Sequence, residues 1–550
     1  MSADVTTPFA DRTIPVPRTD NRMDRVFDWL GERLNPILVK ETRQALKSRQ
    51  FVLTFGLLLI AAWGWSLIGL VMMEVDGGYS QSGPAMFVGY YCILAAAVGV
   101  FVPFGAFRSL ASEQEERTYE LLSITGLSPR QIVSGKLGSA VVQVAIYTSA
   151  IAPCLAFTYM LRGISMPTIL FVVVYAVLGA LGLSVIGLLV GTLTGEKHWQ
   201  VLLSVVLIVG LLIVFFIGIG ITSNLVFDGD YMFGDDEFWM VMGMLLTAYL
   251  TYFALVFYAA VAQITFVSDN RSTRLRVIML IQHACLIAWF GYIYFTVEVM
   301  DEEILYGLVS CMAFHWAVMG ALMIGEWPEL SMRVKRGLPQ SFLGRAVLTW
   351  FNPGPGTGYM FACCGLIAAC VTTCVMLLIG MASGLGGSTS STDMEKIFAF
   401  SVLAPAYVIA YMGISLIFVR FLRRFTQGTL FVAALIQVLL ITAGTAGPFV
   451  VESIVDSGGF GGYSLLQITN PFWSSAHIAE GGTMPLEAPV LLTVVPLTAL
   501  IVFVLNLPGI LHEVRHVRIA KPVRVAEEDE QLAAETKPHE PVQISPWDVQ

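Results

Sequence analysis

Charged residues are scarce in this sequence, and its long apolar segments contain none. Only 13% of the 550 residues are Asp, Glu, Lys or Arg, whereas 56% are hydrophobic. A soluble protein usually has about a quarter of its residues charged, and about 20 apolar residues suffice for a helix to cross a bilayer. The composition therefore excludes a soluble globular protein and predicts an all-α polytopic membrane protein. The twelve predicted transmembrane helices are 51–73, 85–107, 137–160, 168–193, 199–222, 238–267, 277–297, 304–324, 358–382, 397–419, 428–451 and 489–509.

Ionisable groups are nearly absent from these spans, where only His283 and His315 could titrate. Carriers driven by a proton or sodium gradient commonly place ionisable groups in the membrane, because the coupling ion needs a titrating or coordinating partner. The absence disfavours a secondary carrier, so the energy for any transport must come from another source.

A nucleotide-binding motif is also absent. A P-loop needs a glycine-rich run ending in Gly-Lys-Ser/Thr, because backbone N–H groups and the lysine hold the phosphates. The segment Gly135-Lys136-Leu137 lacks both the earlier glycine and the hydroxyl residue. No Ser-His-Asp pattern, HExxH motif or carboxylate pair at membrane depth is present. The chain is therefore predicted to be no enzyme, to bind no cofactor by itself and to have no nucleic-acid partner.

The eight cysteines lack the spacing of a secreted disulfide framework. Cys311, His315 and Met319 follow one another at intervals of four residues, which places them near one helix face. Sulfur and imidazole ligands would suit a copper ion. Methionine and cysteine also fill apolar interfaces, and the chain has 23 Met. Packing is favoured over a metal site, with these three residues as the candidate ligands.

Basic residues concentrate on one side of the predicted spans. If the N-terminus is cytoplasmic, the outer loops contain Arg162 and Lys396, and the other 29 of the 31 Lys and Arg (31 minus 2) lie inside. This bias predicts that both termini are cytoplasmic and that the number of spans is even. We expect the chain in the plasma or inner membrane.

The spacing of the spans suggests two six-helix units in parallel, since a long inner loop follows both the second and the eighth span. The predicted organisation is a disordered cytoplasmic arm at 1–33, an amphipathic interfacial helix at 34–50, a six-helix unit at 51–267 with inner loop 108–136, a second six-helix unit at 268–510 with inner loop 325–357, and a disordered cytoplasmic tail at 511–550. For the outer segment 452–488, which contains Phe472 and Trp473, two interpretations stay open. It forms short helices anchored at the outer leaflet by aromatic residues, or it is an ordinary surface loop.

A basic helix is predicted just before the first span. Asparagine caps free N–H groups and proline suits the first helical turn, so Asn35-Pro36 is a plausible helix start. Lys40, Arg43 and Lys47 then share one face, beside Glu41. Such a helix is expected to rest on an anionic cytoplasmic leaflet. The alternative is a charged linker that only follows the charge rule for topology.

The inner loop 108–136 is a polar island between two apolar runs. An amphipathic helix here must lie outside the hydrocarbon, where its charged face meets water or a partner protein. The alternative is a solvated helix without a partner. The residues proposed for partner docking are Glu113, Glu115, Glu116, Arg117, Thr118, Glu120, Leu121, Leu122 and Pro129.

These two stretches resemble the membrane permease subunits of ABC type-2 exporters. Residues 35–49 are similar to the cytosolic helix that leads into the family's first span. Residues 113–136 resemble its coupling helix, an acidic run with paired apolar residues and a proline-containing turn, although Arg117 stands where the family usually has glycine. The resemblance implies a translocation pathway between two six-span units, as a homodimer or a fused pseudo-dimer. It also implies a separate P-loop ATPase, in two copies, that binds ATP and Mg²⁺ and docks on the inner loops.

Three functions are therefore compared. The first is a permease subunit of an ATP-driven exporter, which the resemblance favours. The second is a membrane scaffold or assembly factor of the cell envelope on the same fold, and the third, disfavoured by the uncharged spans, is a secondary carrier.

Overall fold

The computed structural model describes most of the chain, and no β-strand occurs in that part. The described residues are 35–75, 82–115, 127–193, 196–228, 233–266, 269–296, 302–327, 331–337, 341, 344, 349–382, 391–425, 430–455, 463–480, 483–514 and 522–535. Twelve helices within these ranges are long and apolar enough to cross a membrane. The predicted fold class, an all-α polytopic membrane protein with about twelve spans, is confirmed.

The chain divides into two compact units, 1–234 and 235–550. The helices described in the first unit are α1 (Pro36–Leu46), α2 (Arg49–Val75), α3 (Gly83–Ala96), a π-helical segment (Ala97–Phe101), α4 (Val102–Glu115), α5 (Pro129–Met160), α6 (Met166–Gly191) and α7 (Lys197–Asp228). Helix α3, the π-helical segment and α4 are continuous and form one span.

The second unit begins with a long helix and ends with a short polar one. The helices described there are α8 (Asp236–Ile264), α9 (Thr273–Thr296), α10 (Glu302–Ile324), α11 (Met332–Arg336), α12 (Pro355–Ala382), α13 (Ser391–Leu422), α14 (Leu430–Val455), α15 (Pro471–Ala479), α16 (Ala488–Val514) and α17 (Val523–Glu535). Two short 3-10 helices add Thr349–Phe351 and Leu465–Thr469.

The position of α8 differs from the sequence-based division, which placed the boundary after residue 267. Helix α8 packs against α9 and belongs to the second compact unit. The long helices described in the two units therefore number five and seven. The six-plus-six repeat stays a prediction.

The inner end of a long helix is the end that the charge pattern predicts to be cytoplasmic, and the outer end is the opposite one.

Hydroxyl pairs join α2 to its neighbours in the first unit. The hydroxyl oxygen of Thr54 lies 2.6 Å from that of Tyr147 on α5, and the hydroxyl oxygen of Ser66 lies 2.7 Å from that of Tyr90 on α3. A buried hydroxyl without a partner costs about 1–3 kcal/mol. The pairs therefore fix the position of α2 against α3 and α5.

The π-helical segment in the second span has a local cause. Pro103 lacks an N–H group and its ring would crowd the carbonyl of Gly99, which a regular α-helix brings close to it. The chain widens there, and the N–H of Val102 bonds to the carbonyl of Ala97, five residues back. Such insertions bend helices and often occur at functional sites. After the π-helical segment, α4 packs closely on α6. A Cβ atom at Gly187 would lie 2.5 Å from the carbonyl oxygen of Pro103, so only glycine allows this approach.

The second unit packs around α10. Trp316 is completely buried on α10, and a side chain at Gly365 of α12 would overlap its indole ring. Glycine at that position therefore lets α10 and α12 approach closely. On the other side, the side-chain amide of Asn506 on α16 donates to the carbonyl of Gly413 on α13 over 3.0 Å.

The described part of the outer segment between α14 and α16, residues 463–480, contains two short helices. Glu452 at the end of α14 accepts a hydrogen bond of 2.6 Å from Gln467. The ring of Tyr463 stacks on that of His477 at 4.1 Å, and His477 lies 3.3 Å from Glu487. Hydrogen bonds from its own backbone N–H and from His477 lower the pKa of Glu487.

The segment predicted as a disordered tail, 511–550, contains helical structure. Helix α16 continues to Val514, and α17 occupies Val523–Glu535, where the side chains that the structure describes are exposed. Alanine, glutamate, glutamine and leucine are strong helix formers, which accounts for α17 without packing. The predicted arm, 1–33, lies outside the described residues, as does 536–550.

Candidate functional site

Helix α1 begins at the predicted Asn35-Pro36. The side-chain oxygen of Asn35 accepts the N–H of Ile37 over 3.1 Å, and Pro36 occupies the first turn. The side-chain amide of Asn35 also donates to the carbonyl of Gln131 in α5 over 2.5 Å. The capping residue therefore both starts α1 and attaches it to α5.

The four residues predicted for the interfacial helix fall on two sides of α1. Lys40, Arg43 and Lys47 are exposed and line a surface concavity of about 500 Å³. Glu41 is mostly buried and faces the protein. The basic face is thus available to an anionic surface, whereas the carboxylate takes part in packing.

Two glycines of α5 allow α1 to pack closely on it. A Cβ atom at Gly135 would lie 2.8 Å from the Cβ of Ile37, and one at Gly138 would lie 2.7 Å from the Cδ1 of Leu38. Ile37 is buried in this contact. A side chain at Gly135 would push α1 away from α5, whereas one at Gly138 would meet only the end of the flexible Leu38 side chain.

Lys136 is the centre of the junction between α1, α4 and α5. Its side chain is only 2% exposed. Its ammonium nitrogen lies 3.2 Å from Glu41 Oε1 of α1 and 3.0 Å from Glu113 Oε1 of α4. It also donates to the carbonyl of Ser109 over 3.1 Å. A lysine ammonium has three donors, so all three are used. We call Lys136, Glu41, Glu113 and Ser109 the Lys136 junction.

The proposed docking residues begin at the end of α4. Glu113 and Glu115 lie in its last turn, and Glu115 forms an exposed ion pair of 3.0 Å with Lys197 of α7. The buried amide of Gln200 donates to the carbonyl of Ala111 over 3.0 Å. Four helices therefore meet near these carboxylates. Outside the described residues lie Glu116, Arg117, Thr118, Glu120, Leu121 and Leu122.

A capping box starts α5 at the predicted turn. The hydroxyl of Ser128 accepts the N–H of Gln131, the side-chain oxygen of Gln131 accepts the N–H of Ser128, and Pro129 stands at the first helical position. These interactions satisfy N–H groups that a helix start leaves free. Helix α5 consequently begins eight residues before the predicted span at 137 (137 minus 129), which places Lys136 inside a helix.

The second unit has a buried charge network at its inner end that sequence reasoning missed. Arg276 of α9 is completely buried, and its guanidinium donates to Glu326 Oε2 over 2.5 Å. It also donates to Thr357 Oγ1 and to the carbonyl of Gly354, both over 3.2 Å, and to the carbonyl of Trp350 over 2.5 Å. We call these residues the Arg276 network. Arg276 stands one residue before a predicted span, so its burial gave no signal in the sequence.

A second buried carboxylate lies at the N-terminus of α12. Glu513 of α16 accepts the N–H groups of Gly356 over 2.8 Å and of Thr357 over 3.0 Å. Free N–H groups and the helix dipole favour a negative charge at this position. Arg420 of α13 lies 3.9 Å from Glu513 and donates to Asn506 over 3.0 Å. These contacts join the inner ends of α12, α13 and α16.

Arg423, just beyond α13, extends this inner-end network to α10. Its guanidinium donates to the carbonyls of Ile324 and Glu326. Burial lowers the pKa of Arg423 from its ordinary value, and Glu513 and Glu326 act in the opposite direction. At the inner end of the second unit, arginines therefore hold main-chain carbonyls as well as carboxylates.

The three candidate metal ligands lie in different surroundings. Cys311 is exposed, whereas His315 and Met319 are buried, and His315 Nδ1 lies 3.2 Å from the hydroxyl of Tyr252. Within the described ranges, no group of three His, Cys, Asp or Glu residues could hold a metal ion. His283 Nδ1 accepts the indole N–H of Trp316 over 3.1 Å.

Comparison with known protein families finds a match in the first half of the chain. Residues 68–230 match the model of a protein family described as ABC-2 family transporter protein. No curated protein and no solved structure matches the chain. The matched segment ends close to the boundary of the first compact unit at residue 234, and it contains Glu113 and Lys136. The resemblance found in the sequence is thereby confirmed for this region: the chain carries an ABC-2 family transporter region, and its long apolar helices are those of a multi-pass membrane protein.

Proposed function

We propose that this chain is the membrane-spanning permease subunit of an ATP-driven exporter in the plasma or inner membrane. A separate P-loop ATPase, in two copies, binds ATP and Mg²⁺ and docks on the inner ends of the helices. The Lys136 junction carries this proposal, because Lys136, Glu113 and Ser109 lie within the ABC-2 region and the junction connects α4, where the predicted docking segment begins, to α5 and α1.

The junction makes three helices respond together. Glu113 is three residues before Glu116, where the remaining predicted docking residues begin. Removing one partner of a buried ion pair costs about 3–5 kcal/mol, because a charge is left without compensation. Since Glu41 and Glu113 are partly exposed, the cost here is at the lower end or below. A force that shifts Glu113 therefore also displaces Lys136 on α5 and Glu41 on α1.

The exposed face of α1 can hold this helix at the membrane surface while the docking segment moves. Lys40, Arg43 and Lys47 point away from the protein and can contact anionic lipid, at about 1 kcal/mol for each cation near the surface. Helix α1 is thus held both by the leaflet and by the Lys136 junction. Movement of the docking segment relative to α1 would be converted into tilting of α4 and α5.

The test uses the full chain co-expressed with a P-loop ATPase that co-purifies with the wild-type chain. Glu116→Lys with Glu120→Lys is expected to abolish co-purification, because the partner's surface must complement these charges. Glu303→Lys, an exposed carboxylate at the outer end of α10, is the matched control and is expected to leave co-purification intact. Lys136→Met is expected to retain the ATPase but to lower stimulation of ATP hydrolysis by the chain at least several-fold in nanodiscs.

Two results would contradict the proposal. Retention of the ATPase by the double charge-reversal variant would show that it docks elsewhere on the chain. Normal stimulation by Lys136→Met in a correctly folded chain would show that the Lys136 junction is structural only.

A further inference from the structure

A pocket of about 560 Å³ lies between the outer ends of α8 and α9. Its lining residues are Asp236, Met240, Ala288, Trp289 and Tyr292. Trp289 is 13 residues along α9 from Arg276, which corresponds to about 20 Å of helix. The pocket is therefore remote from the Arg276 network, and the proposed ATPase docking does not use it.

The lining combines aromatic rings with one carboxylate. The ring centroids of Trp289 and Tyr292 are 6.1 Å apart and the planes are nearly perpendicular, at 88°. Trp289 is half-buried, and Tyr292 is 52% exposed at the mouth. Asp236, in the first turn of α8, is exposed and forms no hydrogen bond or ion pair with another described residue. One helical turn further on, Met240 adds an apolar and polarizable side chain.

A glycine fixes the tryptophan that forms one wall. A Cβ atom at Gly243 of α8 would lie 3.0 Å from the Cη2 atom of Trp289 and 3.4 Å from its Cζ2 atom. The indole ring therefore lies directly against α8 because position 243 has no side chain. A larger residue there would displace the ring and change the wall of the pocket.

This lining has the chemistry of a site for an organic cation. Aromatic faces attract ammonium and guanidinium groups within about 6 Å of the ring centre, with tryptophan the most favourable. A carboxylate adds direct charge attraction, and Asp236 has no cation of its own among the described residues. The volume lies within the roughly 300–1,000 Å³ that is typical of small-molecule sites.

We propose that the pocket between α8 and α9 binds an amphipathic organic cation, meaning an ammonium or phosphonium group with apolar substituents. The cation lies beside Trp289 and Tyr292, and Asp236 balances its charge. The apolar substituents lie along Met240 and Ala288 and extend toward the surrounding lipid.

The test measures binding of tetraphenylphosphonium to the full chain in phosphatidylglycerol nanodiscs, without ATPase or nucleotide. Triphenylphosphine oxide is the neutral comparison. Asp236→Asn and Trp289→Leu are each expected to weaken phosphonium binding about fivefold to tenfold, which corresponds to the loss of one cation–π or charge contact. Gly243→Leu is expected to weaken it as well. Glu237→Gln, the next residue along α8, is the matched control and is expected to leave binding unchanged.

Thermal unfolding of each variant in the same nanodiscs separates loss of the pocket from loss of the fold. Equal affinity of the wild-type chain and a folded Asp236→Asn variant would overturn the proposal, as would equal binding of the neutral compound. Loss of phosphonium binding in phosphatidylcholine nanodiscs would assign the pocket to the choline head group of a lipid and would overturn the proposal of a free ligand.

Discussion

The two units bury charge at their inner ends in different ways. In the first, one lysine joins two carboxylates that remain 13% and 15% exposed. In the second, Arg276 has no exposed side-chain surface and holds one carboxylate together with main-chain carbonyls. Glu513 likewise accepts main-chain N–H groups. The first unit relies mainly on side-chain partners, and the second relies largely on backbone.

This difference predicts different mobility. A lysine ammonium is compact and rotates its three donors on a flexible stem, so its partners can shift while contact is retained. A guanidinium has planar, directional donors, and backbone carbonyls cannot follow it by rotating a side chain. We infer that the Lys136 junction lets α1, α4 and α5 tilt while they stay connected, whereas the Arg276 network fixes the inner ends of α9, α10 and α12. The contacts alone support this difference in mobility, whether or not the chain acts as a permease.

The largest expected effect is loss of Arg276. Arg276→Gln leaves the carboxylate of Glu326 mostly buried without a cation and should reduce the free energy of unfolding by about 3–5 kcal/mol. The measurement is thermal or denaturant unfolding of the purified chain in detergent. Arg274→Gln, two residues earlier on the exposed face of α9, is the control and should change it by less than about 1 kcal/mol. Lys136→Met should fall between the two, because Lys136 donates to one main-chain carbonyl, whereas Arg276 donates to two and to the hydroxyl of Thr357. An equal loss from Lys136→Met and Arg276→Gln would remove the distinction between the two networks.

A smaller effect is expected where α1 meets α5. Gly135→Ala places a methyl group 2.8 Å from the Cβ of Ile37, a branched residue near the backbone, and should cost about 1–2 kcal/mol through displacement of α1. Gly138→Ala meets only the end of the flexible Leu38 side chain and should be nearly neutral, because alanine favours the helix by up to about 1 kcal/mol.

Gly179→Ala is the control for this pair, because no atom lies within 4 Å of its added Cβ. It should stabilise α6 by up to about 1 kcal/mol, and differences in unfolding temperature report all three variants. If Gly135→Ala behaved like Gly179→Ala, α1 would not be held tightly against α5 and the first junction would be looser than the structure indicates.

The sequence was informative about local structure and much less so about partners. The Asn35-Pro36 start, the Ser128-Pro129 turn and the apolar spans each depend on neighbouring residues, and the structure has all of them. The sequence predicts Lys136 to be a loop residue, because the carboxylates that it contacts are 95 and 23 positions away (136 minus 41 and 136 minus 113). Arg276 depends in the same way on contacts that only the tertiary fold creates.

The smallest expected effect concerns the two carboxylates at the end of α4. Glu115 pairs with Lys197 at the surface, with the side chains 41% and 81% exposed, and Glu115→Gln should reduce the free energy of unfolding by less than about 0.5 kcal/mol. Raising the salt concentration should remove even this small difference in unfolding free energy, since screening acts on exposed charges. Glu113→Gln, two residues earlier, loses a charge-assisted contact to buried Lys136 and should show a larger effect that salt hardly changes. Unfolding at about 0.05 and about 0.5 M salt measures both variants. Equal salt dependence would mean that water reaches Lys136 as freely as Lys197, and the Lys136 junction would then be too weak to move α5 when Glu113 is displaced.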